Sequence, residues 1–423
     1  MFSEFLTNLI IKNKEQISSR YAEITSALNK QFRETESKTH NTLQVGSFGR
    51  KTGINGISDL DMIYIIPKNK WHIYKNNQSR LLKDTKDAIL ARYPKTNVKV
   101  DRLVVTVTYQ NFYIEVQPVF QQDDGSFKYP DTYKGGSWKV TKPREEIAII
   151  SEMDEKQNGK LRTLCKMIRA WKNHHGIAIG GLLIDTLIYN FFKGLNDKQY
   201  SSYIELCRDF FEYLSKLPKQ SKYAAPGSNQ DVKVKQYFQH KAKIAYDLCI
   251  NAINAKGQAN ENSKWKKIFG RPFPQRRGVS LESCNFQNWK DTEEFIDNLF
   301  PIDIKENLKI ECEVTQDGFR KNLLTIMLKD NIPLRVKKNL KFYITEISVQ
   351  EPYDIHWKVL NRGEEAKKRN CIRGQIIKDK GHKTIQENTE FNGNHIVECY
   401  CVKNNIVIAK DTIKVPIAGG DND

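Results

Sequence analysis

Asp59-Leu60-Asp61 opens an apolar, β-branched run, Met62-Ile63-Tyr64-Ile65-Ile66, and that order of residues leaves few folds open to the chain around it. The run predicts a strand. Successive strand side chains alternate faces, so Asp59 and Asp61 project the same way while Leu60 and Met62 turn into a core. Two carboxylates on one face attract a divalent cation. Magnesium takes hard oxygen ligands and keeps waters or substrate phosphates in its remaining positions, and a metal pair clamps both oxygens of a phosphoryl displacement. A nucleoside triphosphate suits that arrangement.

Upstream, Val45-Gly46-Ser47-Phe48-Gly49-Arg50-Lys51 offers a complementary phosphate loop. Gly46 and Gly49 can adopt backbone angles closed to other residues and admit a phosphate close to main-chain N–H groups. Ser47 adds a donor, and Arg50 and Lys51 add charge. The segment is not a Walker loop, which ends in Gly-Lys-Ser/Thr. A third ligand is expected from a neighbouring strand, where Tyr113-Ile114-Glu115-Val116-Gln117-Pro118 supplies Glu115. The plainer alternative, a loop end with solvated carboxylates, fits one such motif alone and not the combination.

At 423 residues the chain exceeds one average domain, so two or three packed units are expected. Apolar spacing predicts a helix or helix pair over 4–38. Then come a strand over 61–66, a helix over 77–92 ending before Pro94, and strands over 98–109 and 112–120. From Lys160 the period becomes helical, with helices over 160–172, 177–192, 199–217 and 231–255. Phe269-Gly270-Arg271-Pro272-Phe273-Pro274-Gln275-Arg276-Arg277-Gly278 breaks helicity and reads as a linker. Short alternating bursts follow at 340–347, 355–360, 372–377, 396–402 and 406–409, the last two joined as a hairpin by Lys403-Asn404-Asn405. The expected fold is α+β: a mixed-sheet core over 1–159, a helical lobe over 160–299 and a mostly β domain over 300–423.

The net charge is +18, and residues 301–423 carry only +3 of it, which leaves +15 on residues 1–300. Anionic partners are implied, whether nucleotides or nucleic acid. No run approaches the roughly 18 apolar residues a membrane helix needs, and the N-terminus lacks a signal-peptide pattern. A cytoplasmic protein is expected. The eight cysteines follow no framework spacing, which favours free thiols.

Gly-Ser, then Asp-x-Asp, then a carboxylate three residues before a proline resembles the DNA polymerase beta-like nucleotidyltransferases. Five motifs narrow the resemblance to the bacterial CD-NTases, relatives of cyclic GMP-AMP synthase and oligoadenylate synthase. They are Gly46-Ser47-Phe48-Gly49-Arg50, Ser58-Asp59-Leu60-Asp61, Tyr129-Pro130-Asp131 with Trp138 and Pro143, Arg169-Ala170-Trp171-Lys172, and Trp265-Lys266-Lys267-Ile268-Phe269-Gly270. The similarity covers about residues 1–300. It implies that Asp59, Asp61 and Glu115 are catalytic and hold two Mg2+ ions, with Mn2+ as a substitute. It also implies that Gly46 and Ser47 hold the donor triphosphate, beside which Arg50 adds its charge, and that Lys166 and Arg169 reach it from the helical lobe. Two departures bear on the acceptor: Arg169 stands where relatives usually have lysine, and Gly180-Gly181 where they often have serine. Glu115 in place of aspartate is milder.

Residues 300–417 resemble the sensor domain found with adenylyl/guanylyl cyclases and CD-NTases, through Tyr353–Ala366, Ile372-Arg373-Gly374 and Gly393–Tyr400. There Trp357 could stack a base while Lys358 and Arg373 meet phosphates, or Trp357 could be core and Arg373 carboxylate-paired. Zinc at His395, Cys399 and Cys401 with Cys312 or Cys371 is disfavoured, since alternation makes both hairpin cysteines core. His174 and His175 suit a helix end, and Lys367-Lys368-Arg369 a solvated loop. Three functions follow in order. The first is a synthase that joins NTPs, or dNTPs, into a cyclic or short linear signal with release of pyrophosphate, in antiphage defence with a separate effector reading the product. The others are a template-independent RNA- or DNA-tailing polymerase, and a non-catalytic nucleotide sensor.

Overall fold

The computed structural model describes residues 1–195, 198–275, 293–316, 320–361, 365–366 and 373–418. The chain divides into two compact units, residues 1–174 with 179–276, and residues 175–178 with 277–423.

In the first unit, the N-terminal helical pattern resolves into α1 (Phe2–Asn8) and α2 (Lys14–Arg33). α2 buries Ile17, Tyr21, Ile24, Leu28 and Phe32, a stripe at three- and four-residue intervals. There follow β1 (Thr42–Gln44), the single turn α3 (Gly46–Gly49), β2 (Asp59–Ile65), α4 (Trp71–Tyr74) and α5 (Gln78–Arg92). The Asn77 side chain accepts from Arg80 N–H at 2.9 Å and so caps α5. Next are β3 (Asn97–Val100), β4 (Val105–Thr108), β5 (Tyr113–Gln121), β6 (Phe127–Asp131) and β7 (Ser137–Thr141). The segment expected as one strand over 98–109 is thus two, folded on each other where Asp101 N–H meets the Val104 carbonyl at 2.9 Å.

These seven strands form one mixed sheet in the order β1-β2-β5-β4-β3, with β6 and β7 branching from β5. Only β2 and β5 run parallel. A parallel pair needs a crossover, and α5 lies within it. Helices α6 (Pro143–Lys156), α7 (Lys160–His175), α8 (Gly181–Lys193) and α9 (Tyr203–Lys216) follow, then the ribbon β8 (Lys222–Ala224) and β9 (Asp231–Lys233), then α10 (Gln239–Ile253) and α11 (Glu261–Phe269). The helix expected over 231–255 therefore begins only at Gln239, because β9 takes its first residues.

The Pro/Gly-rich passage does not behave as a linker over its described part. Phe273 is fully buried, with its ring 5.4 Å from that of Phe2 and 5.0 Å from that of Phe5. Trp265 and Phe269 complete the cluster. The Asn8 side chain also donates to the Pro272 carbonyl at 2.8 Å. Here aromatic burial overrides the composition signal; residues 276–278 lie outside the described residues.

The second unit is mostly β. After α12 (Ile296–Leu299) come β10 (Leu308–Thr315), β11 (Asn322–Leu323), α13 (Leu324–Lys329), β12 (Asn339–Ile347), β13 (Asp354–Leu360), β14 (Ile376–Lys378), β15 (Thr384–Asn388), β16 (Gly393–Lys403) and β17 (Ile406–Ile417). They make two antiparallel sheets, β11-β10-β12-β15 and β14-β13-β16-β17. Alternating residues of both, among them Cys312, Phe342, Trp357, Cys399 and Cys401, share one core. The β16–β17 hairpin turns where expected, with Asn404 at φ 52° and Asn405 at φ 61°, the left-handed pair that a tight two-residue turn requires. No described helix is long and apolar enough to cross a membrane.

If the aromatic cluster anchors α1, Phe273→Ala should lower unfolding free energy by about 3–5 kcal/mol, the usual cost of deleting a buried phenyl ring. Urea denaturation checks this, with the exposed Tyr237→Ala as the control expected to stay near wild type.

Candidate active site

The parallel pairing sets Asp59 opposite Tyr113 and Asp61 opposite Glu115, and β4 adds Thr106 opposite Glu115. Leu60, Met62 and Tyr64 of β2, with Ile114, Val116 and Phe120 of β5, bury into the core of the first unit. Alternation therefore puts Asp59, Asp61 and Glu115 together on the other face, each half-buried. Further along that face Ile63 and Val119 close over Phe127. The face is acidic at one end and apolar at the other.

Asp61 is fixed from two sides. Its main-chain carbonyl accepts from the Tyr21 hydroxyl at 2.8 Å and from Val45 N–H at 3.0 Å. Burial, then the charges of Asp61 and Asp59, push the Tyr21 hydroxyl well above the ordinary tyrosine range, so it remains a donor at neutral pH. Gly46 lies directly against the carboxylate: at φ +61°, a Cβ there would fall 1.7 Å from Asp61 Oδ2. No side chain fits. Gly49 has a different constraint, since its Cβ would meet the Gln44 carbonyl at 2.4 Å.

All three carboxylates offer the hard oxygen donors a divalent cation takes. The strand register is what groups them: among the described residues, no three His, Cys, Asp or Glu side chains converge as a ready-made metal-ligand cluster.

The other expected residues separate into two groups. Ser47 stays beside Gly46, and its carbonyl accepts from Thr52 N–H at 2.9 Å and Gly53 N–H at 3.1 Å. Lys166 is half-buried, and burial, then the nearby cation Lys14, lowers its pKa. An anion beside it would reverse that shift. Arg50 and Arg169, expected at the triphosphate, instead turn into the protein at 4% and 5% exposure. Both pair with Asp185 of α8, Arg50 Nε at 2.8 Å and Arg169 Nη1 at 2.7 Å. Burial opposes ionisation of Asp185, but Arg169 and then Arg50 overcome it and hold the carboxyl at about 2. The arginines are structural partners first. Glu146 of α6 completes the group, 3.5 Å from Arg50 and bound by Ser228 and Gln230.

Sequence reasoning did not single out Tyr21, Asp185 or Glu146. Asp185 did carry a signal, a lone carboxylate in the apolar run 177–192, because such a group is seldom buried unpaired. The remaining shared motifs are packing devices. Asp131 is clamped by Arg102 through two bonds of 2.6 Å and by Lys139 at 2.7 Å. Trp138 Nε1 donates to the Lys75 carbonyl at 2.8 Å, while Trp171 and Trp265 are fully buried.

Residues 1–154 match the family described as the Second Messenger Oligonucleotide or Dinucleotide Synthetase domain, and residues 290–418 match the Adenylyl/Guanylyl and SMODS C-terminal sensor domain. The chain belongs to the bacterial CD-NTases. Among curated proteins, this CD-NTase is 22% identical over 271 residues to a probable cyclic nucleotide synthase of Bacillus cereus (strain VD146), covering 54% of this chain and 81% of the relative. It is 23% identical over 269 residues to a cyclic AMP-AMP-AMP synthase of Acinetobacter sp., covering 59% and 77%. Among solved structures, it is similar to Escherichia coli MS115-1 CdnC in complex with HORMA-deltaN, with a TM-score of 0.48 and 16% identity over 64% of this chain and 97% of that one. Vibrio cholerae DncV cyclic AMP-GMP synthase gives a TM-score of 0.45 and 14% identity over 55% and 69%.

In the sensor domain of this CD-NTase the plainer reading of Trp357 and its neighbours holds. Trp357 is core, its Nε1 bound to Asp379 at 3.1 Å; Lys358 is buried against Glu293 at 3.0 Å; Arg373 grips Glu387 through two bonds of 2.8 Å. Cys399 and Cys401 are core thiols, as alternation required. Cys371 and the run 367–369 lie outside the described residues.

Gly46→Ala should displace the Asp61 carboxylate and lower nucleotidyl transfer by about 100-fold, the scale of a misplacement near 1 Å. Initial rates on a variant whose far-ultraviolet circular dichroism matches wild type check this.

Proposed function

We propose that this CD-NTase joins nucleoside triphosphates, and accepts deoxy forms where the pocket allows, into a cyclic or short linear oligonucleotide with release of pyrophosphate. The observation that carries the reading is the pairing of Asp61 with Glu115 across two parallel strands, with Gly46 packed on the Asp61 carboxylate. Asp59, Asp61 and Glu115 would hold two Mg2+ ions, with Mn2+ as a substitute. When bound, such ions supply Lewis-acid polarisation of the phosphate and stabilise both the attacking and the leaving oxygen.

The rest is done by the chain itself. Gly46 and Ser47 cradle the donor triphosphate, and Lys166 neutralises its charge. A ribose 3′ or 2′ hydroxyl attacks the donor α-phosphate, and pyrophosphate leaves. The strand register keeps the carboxylates rigid, which limits reorganisation during the step. Arg50 and Arg169 act behind this layer, through Asp185. The family resemblance supports a place in antiphage defence, with a separate effector protein reading the product in the cytoplasm. On this reading the catalytic core spans 1–159, a helical lobe 160–299 and a sensor-like domain 300–423.

The +15 on residues 1–300 favours a second reading, addition of nucleotides to an RNA or DNA end. One experiment separates the two. Labelled NTPs and dNTPs are incubated with Mg2+ or Mn2+, with and without a primer strand, and products are analysed by mass spectrometry after phosphatase and linkage-specific nuclease digestion. Small oligonucleotides made without primer are expected, while extension only of an added strand would favour the tailing reading. EDTA should abolish synthesis and excess Mn2+ restore it. Asp61→Asn should cost at least about 1,000-fold, comparable to loss of a major transition-state group; unaltered product from that variant would refute the site.

A further inference from the structure

We propose that Asp185 is a positioning residue for the donor-nucleotide loop, holding residues 46–53 in place through Arg50 and Thr52. The inference rests on the synthase reading above. Asp185 is fully buried on α8, and both of its oxygens are engaged. Oδ2 accepts from Arg50 Nε at 2.8 Å and from the Thr52 hydroxyl at 3.0 Å, while Oδ1 accepts from Arg169 Nη1 at 2.7 Å. Two of these three donors belong to the loop that carries Gly46 and Ser47.

The connection continues to the site. Thr52 N–H donates to the Ser47 carbonyl at 2.9 Å, so a short path runs from Asp185 through Thr52 to Ser47. Arg50 is tied at its main chain as well, where its carbonyl accepts from Arg162 Nε of α7 at 3.0 Å. Arg162 is itself set by Asp154 and Ser151 of α6. Helices α6, α7 and α8 thus all reach the C-terminal end of the loop, and its N-terminal end is fixed by Val45 and Gly46 against Asp61. The loop is clamped at both ends. Arg169 supports the clamp from behind, since its Nη2 donates to the Gly181 carbonyl at 3.0 Å at the start of α8. A buried carboxylate with charge-assisted bonds fixes geometry tightly.

A group that only stabilises the fold would change melting temperature without changing nucleotide affinity in the folded fraction. A positioning group changes the Michaelis constant of the donor in a protein that remains folded. Asp185→Asn tests the carboxylate, and Thr52→Val tests the same path without burying an unpaired charge. Both should raise the donor NTP KM by roughly tenfold with a smaller fall in kcat. Thr52→Ser should restore the wild-type value. Hydrogen exchange followed by mass spectrometry should show faster exchange over 46–53 in Thr52→Val, with protection elsewhere in the sheet unchanged.

Wild-type KM and wild-type protection over 46–53 in a folded Thr52→Val protein would overturn the proposal while leaving the synthase reading intact. If the wild-type protein makes no product from any NTP, the synthase reading falls. The exchange measurement then decides the clamp alone: faster exchange over 46–53 sustains it and unchanged exchange removes it.

Discussion

The parallel pairing of β2 with β5 is the constraint on which the rest of the first unit depends. It is the single parallel contact in an otherwise antiparallel seven-stranded sheet. A one-residue slip would turn Asp61 and Asp59 into the core and bring Leu60 and Met62 onto the open face, exchanging every side chain on the strand. The register is held by fully buried Leu60, Met62, Ile114 and Val116, each contributing on the order of 2 kcal/mol of apolar burial. The same alternation that makes the core sets out the carboxylates. Chemistry and stability here share one register.

Behind the sheet, charge is managed differently at two depths. The carboxylates of the open face are half-buried and share one face of the sheet, a grouping of like charge that a bound cation would relieve. Deeper in, Arg50, Arg169, Asp185 and Glu146 are all at least 95% buried and formally neutral as a set. Such a group adds little net stability over apolar residues of equal volume, yet breaking it costs about 3–5 kcal/mol because a partner is left bare. Its contribution is specificity of arrangement.

Local signals were legible in the sequence, and long-range ones were not. The strand at Asp59, the helix over 77–92 and the Asn404-Asn405 turn follow from neighbours within a few residues, so pattern alone exposes them. The carboxylate triad could be named because alternation within each strand is fixed; its assembly needed the β2–β5 register, which no local pattern encodes. Arg50 read as a phosphate ligand because a cation beside a glycine loop is ambiguous until its partner is known, and Arg169 because the family resemblance places a basic residue on its helix. That partner, Asp185, is 135 residues from Arg50. Phe273 misled for the same reason: a Pro/Gly context predicts a turn and says nothing about a pocket built by Phe2 and Phe5.

The aromatic cluster also sets the order of events on the ribosome. Phe2 and Phe5 are made early in the first unit, but the rings they pack against, Trp265, Phe269 and Phe273, are made last in it. Until those rings are made α1 has no completed seat, and seven residues are too few to hold a helix alone. Closing so long a loop costs entropy that only the final contacts return. The family boundary near residue 154 is therefore a boundary of resemblance and not of folding: a chain cut there would keep its carboxylates and lose both the seat of α1 and the helix that carries Asp185.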